Sequence, residues 1–148
     1  MKTPVYTTRI ADWQRDGVSL RQVRREVFVV EQRVPEELEW DEHDGTCVHC
    51  IAMDDTGRTI GTGRLIADTP LARVGRMAVL EGYRGRGVGQ SILDTLLSVA
   101  QGRGERGIEL HAQTHALAFY ERAGFAAEGP EFDEAGIPHR VMRLQFGR

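Results

Sequence analysis

The stretch "YRGRGVGQSIL", residues 83 to 93, limits what this chain can fold into more than any other. Gly85, Gly87 and Gly89 alternate with Arg86 and Val88, and Arg84 stands in front. The run "RVGRMAVL" before it reads as a strand, and "QSILDTLLSVA" within and after it reads as a helix. Glycine inside regular structure costs roughly 0.5–1 kcal/mol relative to alanine. Three glycines at one strand-to-helix junction therefore need a reason. A helix N-terminus carries unpaired N–H groups and a partial positive charge. Glycines let an anion reach those groups directly, and Arg84 and Arg86 add charge-assisted contacts. The physical reading is a phosphorylated ligand.

The spacing narrows which ligand. A P-loop needs Gly-Lys-Ser/Thr at the helix start, which this loop lacks; a dinucleotide loop reads G-x-G-x-x-G, against G-x-G-x-G here. Antiparallel-looking strands also precede the loop, whereas the dinucleotide loop opens a first strand–helix–strand unit. A nicotinamide dinucleotide stays open as an alternative, as does a tight turn with no ligand. "RGRG" also suggests RNA, but it occurs once in a chain of net charge −3, so no nucleic-acid partner is expected.

The rest of the chain supplies the frame. Its 148 residues suit one domain, expected over 1–148. A first strand is expected within residues 4 to 10. Ser19 and Gln22 form a capping-box pattern ahead of a helix, "LRQVRREVFVVEQ", whose Leu20, Val23, Val27 and Val30 share a stripe. An acidic loop, "VPEELEWDEHD", follows. Such a run reads as a solvated face, or, if it lines an entrance, as a selector for cations. Strands are expected at "CVHCIAMD", "TIGTGRLIA", "ARVGRMAVL", "IELHAQ" and "VMRLQF", with "DTGR" as a hairpin turn and Gly61 and Gly63 marking a bulge or close approach. Helices are expected at about 87–102 and at "HALAFYERA", the second capped by Gly124. The sum is one α/β layer with a mixed sheet. No apolar run has the length of a membrane span or signal peptide, so a cytoplasmic location and no membrane partner are expected.

Cys47 and Cys50, in "CVHC", have metal-motif spacing, with His43 and His49 nearby. On a strand they point to opposite faces, so they read as small core residues and no metal is expected.

Two motifs together resemble a known family. "RGRGVG" (84 to 89) is similar to the R/Q-x-x-G-x-G/A motif of the GNAT acyl-CoA N-acyltransferases. "ALAFYERAGF" (116 to 125) resembles that family's downstream A-x-x-x-Y-x-x-x-G-F pattern. "FVVEQ", the acidic loop and "GIPH" resemble its ElaA-like branch, although "VPE" stands where that branch often has Cys-Pro-Tyr. The resemblance implies a single-domain α/β fold. Its mixed, mostly antiparallel sheet would be splayed between two parallel strands, at about 74–80 and 108–113, and flanked by helices. It implies acetyl-CoA as co-substrate, bound in the splay by Met77, Val79, Arg84, Gly85, Arg86, Gly87, Val88 and Gly89. Gln113 is counted with these, at a position where many members carry Asn.

The implied reaction is direct attack of a primary amine on the thioester, with a small-molecule or peptide acceptor and a possible homodimer. A non-enzymatic acyl-CoA-binding protein is the alternative reading. An amine is mostly protonated at pH 7 and needs a base; the leaving thiolate needs an acid. Tyr120 is the candidate acid, with Phe119 read as the core member of the pair. His111, on the polar face of "IELHAQ", Glu31 and His139 are the candidate bases.

Overall fold

The computed structural model describes residues 5–67 and 70–147. Pro4, the first residue of the expected first strand, lies outside them. One seven-stranded sheet runs in the order β1-β2-β3-β4-β5-β7-β6. Its strands are β1 (Tyr6–Ala11), β2 (Val48–Asp54), β3 (Thr59–Ile66), β4 (Ala72–Val79), β5 (Gly107–Gln113), β6 (Ala126–Glu134) and β7 (Ile137–Gln145). Every neighbouring pair is antiparallel except β4 and β5, which are parallel. A parallel pair needs a crossover, and the helix α3 (Val88–Gly102) supplies it.

α3 packs on one face of the sheet through Val88, Ile92, Leu93, Leu96 and Ala100, all buried. Burying each of the larger side chains contributes about 1.5–3 kcal/mol. Gly61 and Gly63 make this packing possible. A Cβ on Gly61 would lie 2.8 Å from Ile92, and one on Gly63 would lie 2.7 Å from Met77 and 2.8 Å from Ile92. The ladder between β3 and β4 also shifts register beside Gly63, so both readings of these glycines hold.

The other face carries the first helix, and here the sequence expectation needs correction. The helix starts at Trp13, not after Ser19. Asp12 is its N-cap, accepting from the N–H groups of Gln14 and Arg15. α1 (Trp13–Arg24) continues as a π-helical run, Arg25–Glu31. The acidic segment is not a solvated loop either. It folds as α2 (Glu36–Glu39) and a 3₁₀ turn at Glu42–Gly45, with Glu39 and Asp44 buried. The short helix α4 (Leu117–Arg122) follows β5, and Gly124 beyond it has a left-handed φ of 101°.

β6 is a strand that the sequence pattern did not predict. It is an outer, mostly exposed strand containing Gly129 and Pro130, tolerated because a ladder irregularity falls between Glu128 and Phe132. Ala135 and Gly136, with φ of 55° and 81°, form the tight turn into β7.

Candidate active site

β4 and β5 touch at only two register positions, Ala72 with Ile108 and Arg73 with Glu109. β4 runs on to Val79 and β5 to Gln113, so the sheet splits along both remainders. The cause is a bulge. Between Arg64 and Thr62 of β3, two steps, β4 spends three, from Gly75 to Ala78. Arg76 sits in the bulge at a left-handed φ of 51°, which costs an L-residue roughly 1–2 kcal/mol. Its guanidinium offsets that cost by donating to the carbonyl of Glu39 at 3.1 Å and pairing with the Glu39 carboxylate, also at 3.1 Å.

Beyond the bulge, Leu80 N–H donates to the Ile60 carbonyl. Gly61 and Val79 are therefore a pair that does not exchange hydrogen bonds across β3 and β4. The N–H and C=O of Val79 point to the opposite edge, into the split, and strand alternation directs those of Met77 the same way. The Val79 carbonyl accepts from Arg84 Nε at 2.8 Å.

The glycine loop closes the wide end of the split. Tyr83 anchors its start by donating to Asp54 at 2.8 Å. Gly85 and Gly87 have φ of 77° and 87°, a region closed to most side chains. Gly87 is the N-cap of α3 and brings no capping side chain. Ser91 N–H is the first to find its helical partner, the Gly87 carbonyl at 3.0 Å. The amides of Val88, Gly89 and Gln90 precede that bond and lie at the positive end of a fifteen-residue helix. Arg86 is exposed beside them. A groove of about 670 Å³ continues from Gly87 past Tyr6, Gln90, Ser91 and Asp94. Gly89 also brings α4 close, because a Cβ there would stand 3.4 Å from Phe119.

Residues 31 and 32, at the end of the π-helical run, touch both lips of the split. Arg84 donates to both Glu31 carboxylate oxygens, at 2.8 and 2.7 Å. Gln113 Nε2 donates to Gln32 Oε1, the side-chain amide oxygen, at 2.9 Å. Two of the expected roles change as a result. Arg84 is turned toward Glu31 and Val79, not toward the helix N-terminus. Hydrogen bonds from Arg84 hold the Glu31 carboxyl below its ordinary range, which makes it a poor base.

On α4, Tyr120 is the buried ring and Phe119 the half-buried one, the reverse of the sequence expectation. Tyr120 meets Phe119 and Phe125 edge-on. Burial pushes the Tyr120 phenol well above its ordinary value, so it keeps its proton at any working pH.

Glu109, His111 and Gln113 line one face of β5. His111 Nδ1 lies 2.8 Å from Glu134, and buried His139 has its Nδ1 2.7 Å from the Ile137 carbonyl. Sequence reasoning missed Gln32 and Glu134, whose partners are distant in the chain.

A third missed group lies behind the bulge. Arg24, wholly buried, donates to Glu39 and Asp44 at 2.8 Å each; Arg64 donates to Asp44 at 2.9 Å and to Asp41. Arg24 stands on the same helical stripe as Leu20 and Val27, a signal visible in the sequence. Three potential ligand atoms from Asp44, Cys47 and His49 lie within 4.8 Å of one another. Two guanidiniums already neutralise Asp44, and burial pushes the Cys47 thiol up to about 11, so the group fits an ion-pair core better than a cation. Cys47 faces His49 at 3.4 Å, while Cys50 lies on the other face beside Thr95.

No helix among the described residues is long and apolar enough to cross a membrane. The family described as "Acetyltransferase (GNAT) domain" matches residues 10–146. "Uncharacterized N-acetyltransferase YjcF" of Bacillus subtilis (strain 168) is 39% identical over 121 residues, covering 81% of this chain and 86% of that protein. "Protein ElaA" of Escherichia coli (strain K12) is 33% identical over 128 residues, 84% of each chain. The crystal structure of an acyl-CoA N-acyltransferase from Pseudomonas aeruginosa superposes with a TM-score of 0.81 at 31% identity, covering 95% of this chain and 99% of that one. The split sheet, the glycine loop and these matches agree, and the chain belongs to the GNAT family of acyltransferases, in its ElaA-like branch.

Proposed function

We propose that this acyltransferase takes acetyl-CoA and passes the acetyl group to a primary amine by direct attack. One observation carries the reading: the β4–β5 split opens at its wide end onto the amides of Val88, Gly89 and Gln90, which precede the first helical hydrogen bond of α3. A pyrophosphate on those amides, with Gly85 and Gly87 leaving the approach clear, sends a pantetheine arm along the free edge of β4. Met77 and Val79 offer that arm an N–H and C=O each. Arg86, exposed beside the amides of Val88, Gly89 and Gln90, can reach a phosphate. Arg84 braces the loop on Glu31 instead, and Gln113 holds the opposite lip through Gln32.

The chemistry follows from the same groups. The acceptor arrives as an ammonium ion and gives one proton to the His111 imidazole. The free amine attacks the thioester carbon, the C–N bond forms, and a β4 backbone N–H near Val79 stabilises the oxyanion. The C–S bond breaks, and the Tyr120 phenol protonates the thiolate. The second amine proton returns to Tyr120 through water, and His111 releases its proton to solvent. The thiolate forms in the same desolvated cleft as Tyr120, which raises both proton affinities and keeps the transfer feasible.

Calorimetric titration with acetyl-CoA, with NADH as control, tests the cofactor half. Saturable acetyl-CoA binding and no NADH binding are expected; no acetyl-CoA binding by folded protein overturns it. An amine screen with free-thiol detection tests the transfer.

A further inference from the structure

Glu134 stands outside every motif of the sequence, yet its carboxylate reaches the imidazole that the proposed reaction uses. We propose that Glu134 is a positioning residue for His111: it accepts the Nδ1 proton, fixes that tautomer, and leaves the Nε2 lone pair as the base. The proposal rests on the acyl-transfer reading above.

The geometry begins with the split. Arg73 and Glu109 are the last paired residues of β4 and β5. His111 is the next residue of β5 on the Glu109 face, so it stands where the strands begin to part. The Gln32–Gln113 contact closes that face farther along, and His115 Nε2 lies 2.6 Å from Gln113.

Glu134 comes to His111 from two strands away. In the ladder, Glu134 pairs with Ile137, while His111 pairs with Val141. Ile137 and Val141 are four residues apart on β7, which in a flat sheet is ~13 Å along the strand. The observed 2.8 Å between Glu134 Oε1 and His111 Nδ1 requires the β6–β7 tip to curl over the imidazole. The two-residue turn at Ala135 and Gly136 makes so tight a tip possible. Phe132 packs edge-on against His111, with ring centres 5.2 Å apart, and steadies the ring.

The partners then set the tautomer. A carboxylate can only accept, so the proton between Glu134 and His111 belongs to Nδ1. His111 Nε2 lies 4.0 Å from Glu109, too far for a hydrogen bond. Glu109 itself faces Arg143 at 3.8 Å. His139 does not compete for the role. Its Nδ1–H donates to the Ile137 carbonyl, and its Nε2 is 3.8 Å from the other Glu134 oxygen. The groups facing His111 are thus Glu134 and Glu109, with His139 and Arg143 behind them. When His111 takes the acceptor's proton, the Glu134 carboxylate stabilises the imidazolium.

The Glu134 side chain is 47% exposed, so Glu134→Gln removes the charge without threatening the fold. Two measurements test the idea. Long-range ¹H–¹⁵N spectra of histidine-labelled protein report the tautomer without any substrate. The Nδ1–H form is expected in the wild type and its loss in Glu134→Leu, which has no acceptor; an Nε2–H form of His111 in the wild type overturns the proposal. The second measurement is the pH dependence of kcat/KM with acetyl-CoA and the best amine from the screen. Glu134→Gln should lower kcat/KM at least ~10-fold, within the range of general-base effects. The loss should fall on kcat, with KM for the amine little changed, and His111→Gln should abolish the acidic limb. A kcat unchanged in Glu134→Gln overturns the positioning role while leaving acyl transfer intact. If the screen finds no acceptor, the acyl-transfer reading fails separately, and the tautomer measurement still decides the pair.

Discussion

Two residues carry sharp expectations at the residue scale. Tyr120→Phe removes one oxygen from a buried ring and keeps the packing with Phe119 and Phe125. Turnover should fall ~10²-fold or more, the usual scale of a lost general acid, while acetyl-CoA binding by calorimetry stays unchanged. Unchanged turnover would remove Tyr120 from the acid role. Gly87→Ala should weaken acetyl-CoA binding ~10-fold or more. Its φ of 87° strains any Cβ, and that Cβ would come 2.9 Å from the Tyr6 hydroxyl, at the N-cap where the amides must stay open. An unaltered Kd in calorimetry would mean that the ligand does not approach this glycine. The sequence made these positions legible because glycine and tyrosine at motif spacing have few other uses. It did not show which of the adjacent rings, Phe119 or Tyr120, is buried, because the short helix α4 lacks a long periodic stripe. It also could not show that Arg84 would turn to Glu31, since 53 residues separate them.

The buried charges behind the bulge make an argument at the scale of elements. Arg24 ties α1 to α2 and to the turn before β2; Arg64 and Arg76 bring in β3 and β4. The network holds the first helix, the acidic segment and the bulge in one arrangement, and the bulge is what opens the split. Removing one member thins the pairing of buried charges: without Arg24, Glu39 keeps Arg76 and Asp44 keeps Arg64, each one guanidinium short. Arg24→Met should destabilise the fold by about 3–5 kcal/mol, read as a lower urea midpoint. A loss under 1 kcal/mol would show that Glu39 and Asp44 find other partners or water. Here the sequence was least legible. A run of six acidic residues reads as solvated, because partners as distant as Arg64 and Arg76 leave no local signature. The missed start of α1 has a simpler cause. The capping-box pattern at Ser19 and Gln22 set the expected start too late, and Gly17 lies inside the helix as the bed for the Trp13 ring, which lies 3.4 Å from where its Cβ would be. β6 escaped because Gly129 and Pro130 argue against a strand, and only an outer strand with a ladder irregularity tolerates them.

For the whole molecule, the buried titratable groups predict a stability maximum near neutral pH. His49 is 2% exposed, stacked on Trp13, and its Nδ1 is buried with no hydrogen-bond partner among the described residues. Burial, partly opposed by the Asp44 carbonyl and carboxylate, holds its imidazole below the ordinary 6.5. The unfolded chain therefore binds a proton that the folded chain refuses, and stability falls as pH drops below about 6.5. A second loss lies lower. The Arg9 guanidinium holds Asp16 at about 2, and Arg64 with Arg76 holds Asp41 at about 2 against its burial. Both lie under the ordinary 3.8, so their contribution is complete above it and vanishes as pH falls toward 2. Glu39 acts the other way. Burial raises it above 4.5, so its contribution is present at lower pH and is lost as pH rises through the raised value, blunting part of the acid step. On the alkaline side, burial raises Cys47 and Cys50 from 9.0 to about 11, so stability drops as pH climbs across that window. Urea midpoints from pH 3 to 11 should trace this dome. His49→Gln should flatten the limb between pH 7 and 5 and leave the lower step in place. An equally steep limb in that variant would assign the loss to another group, and a flat wild-type limb would mean that the folded protein protonates His49 as readily as the unfolded chain does.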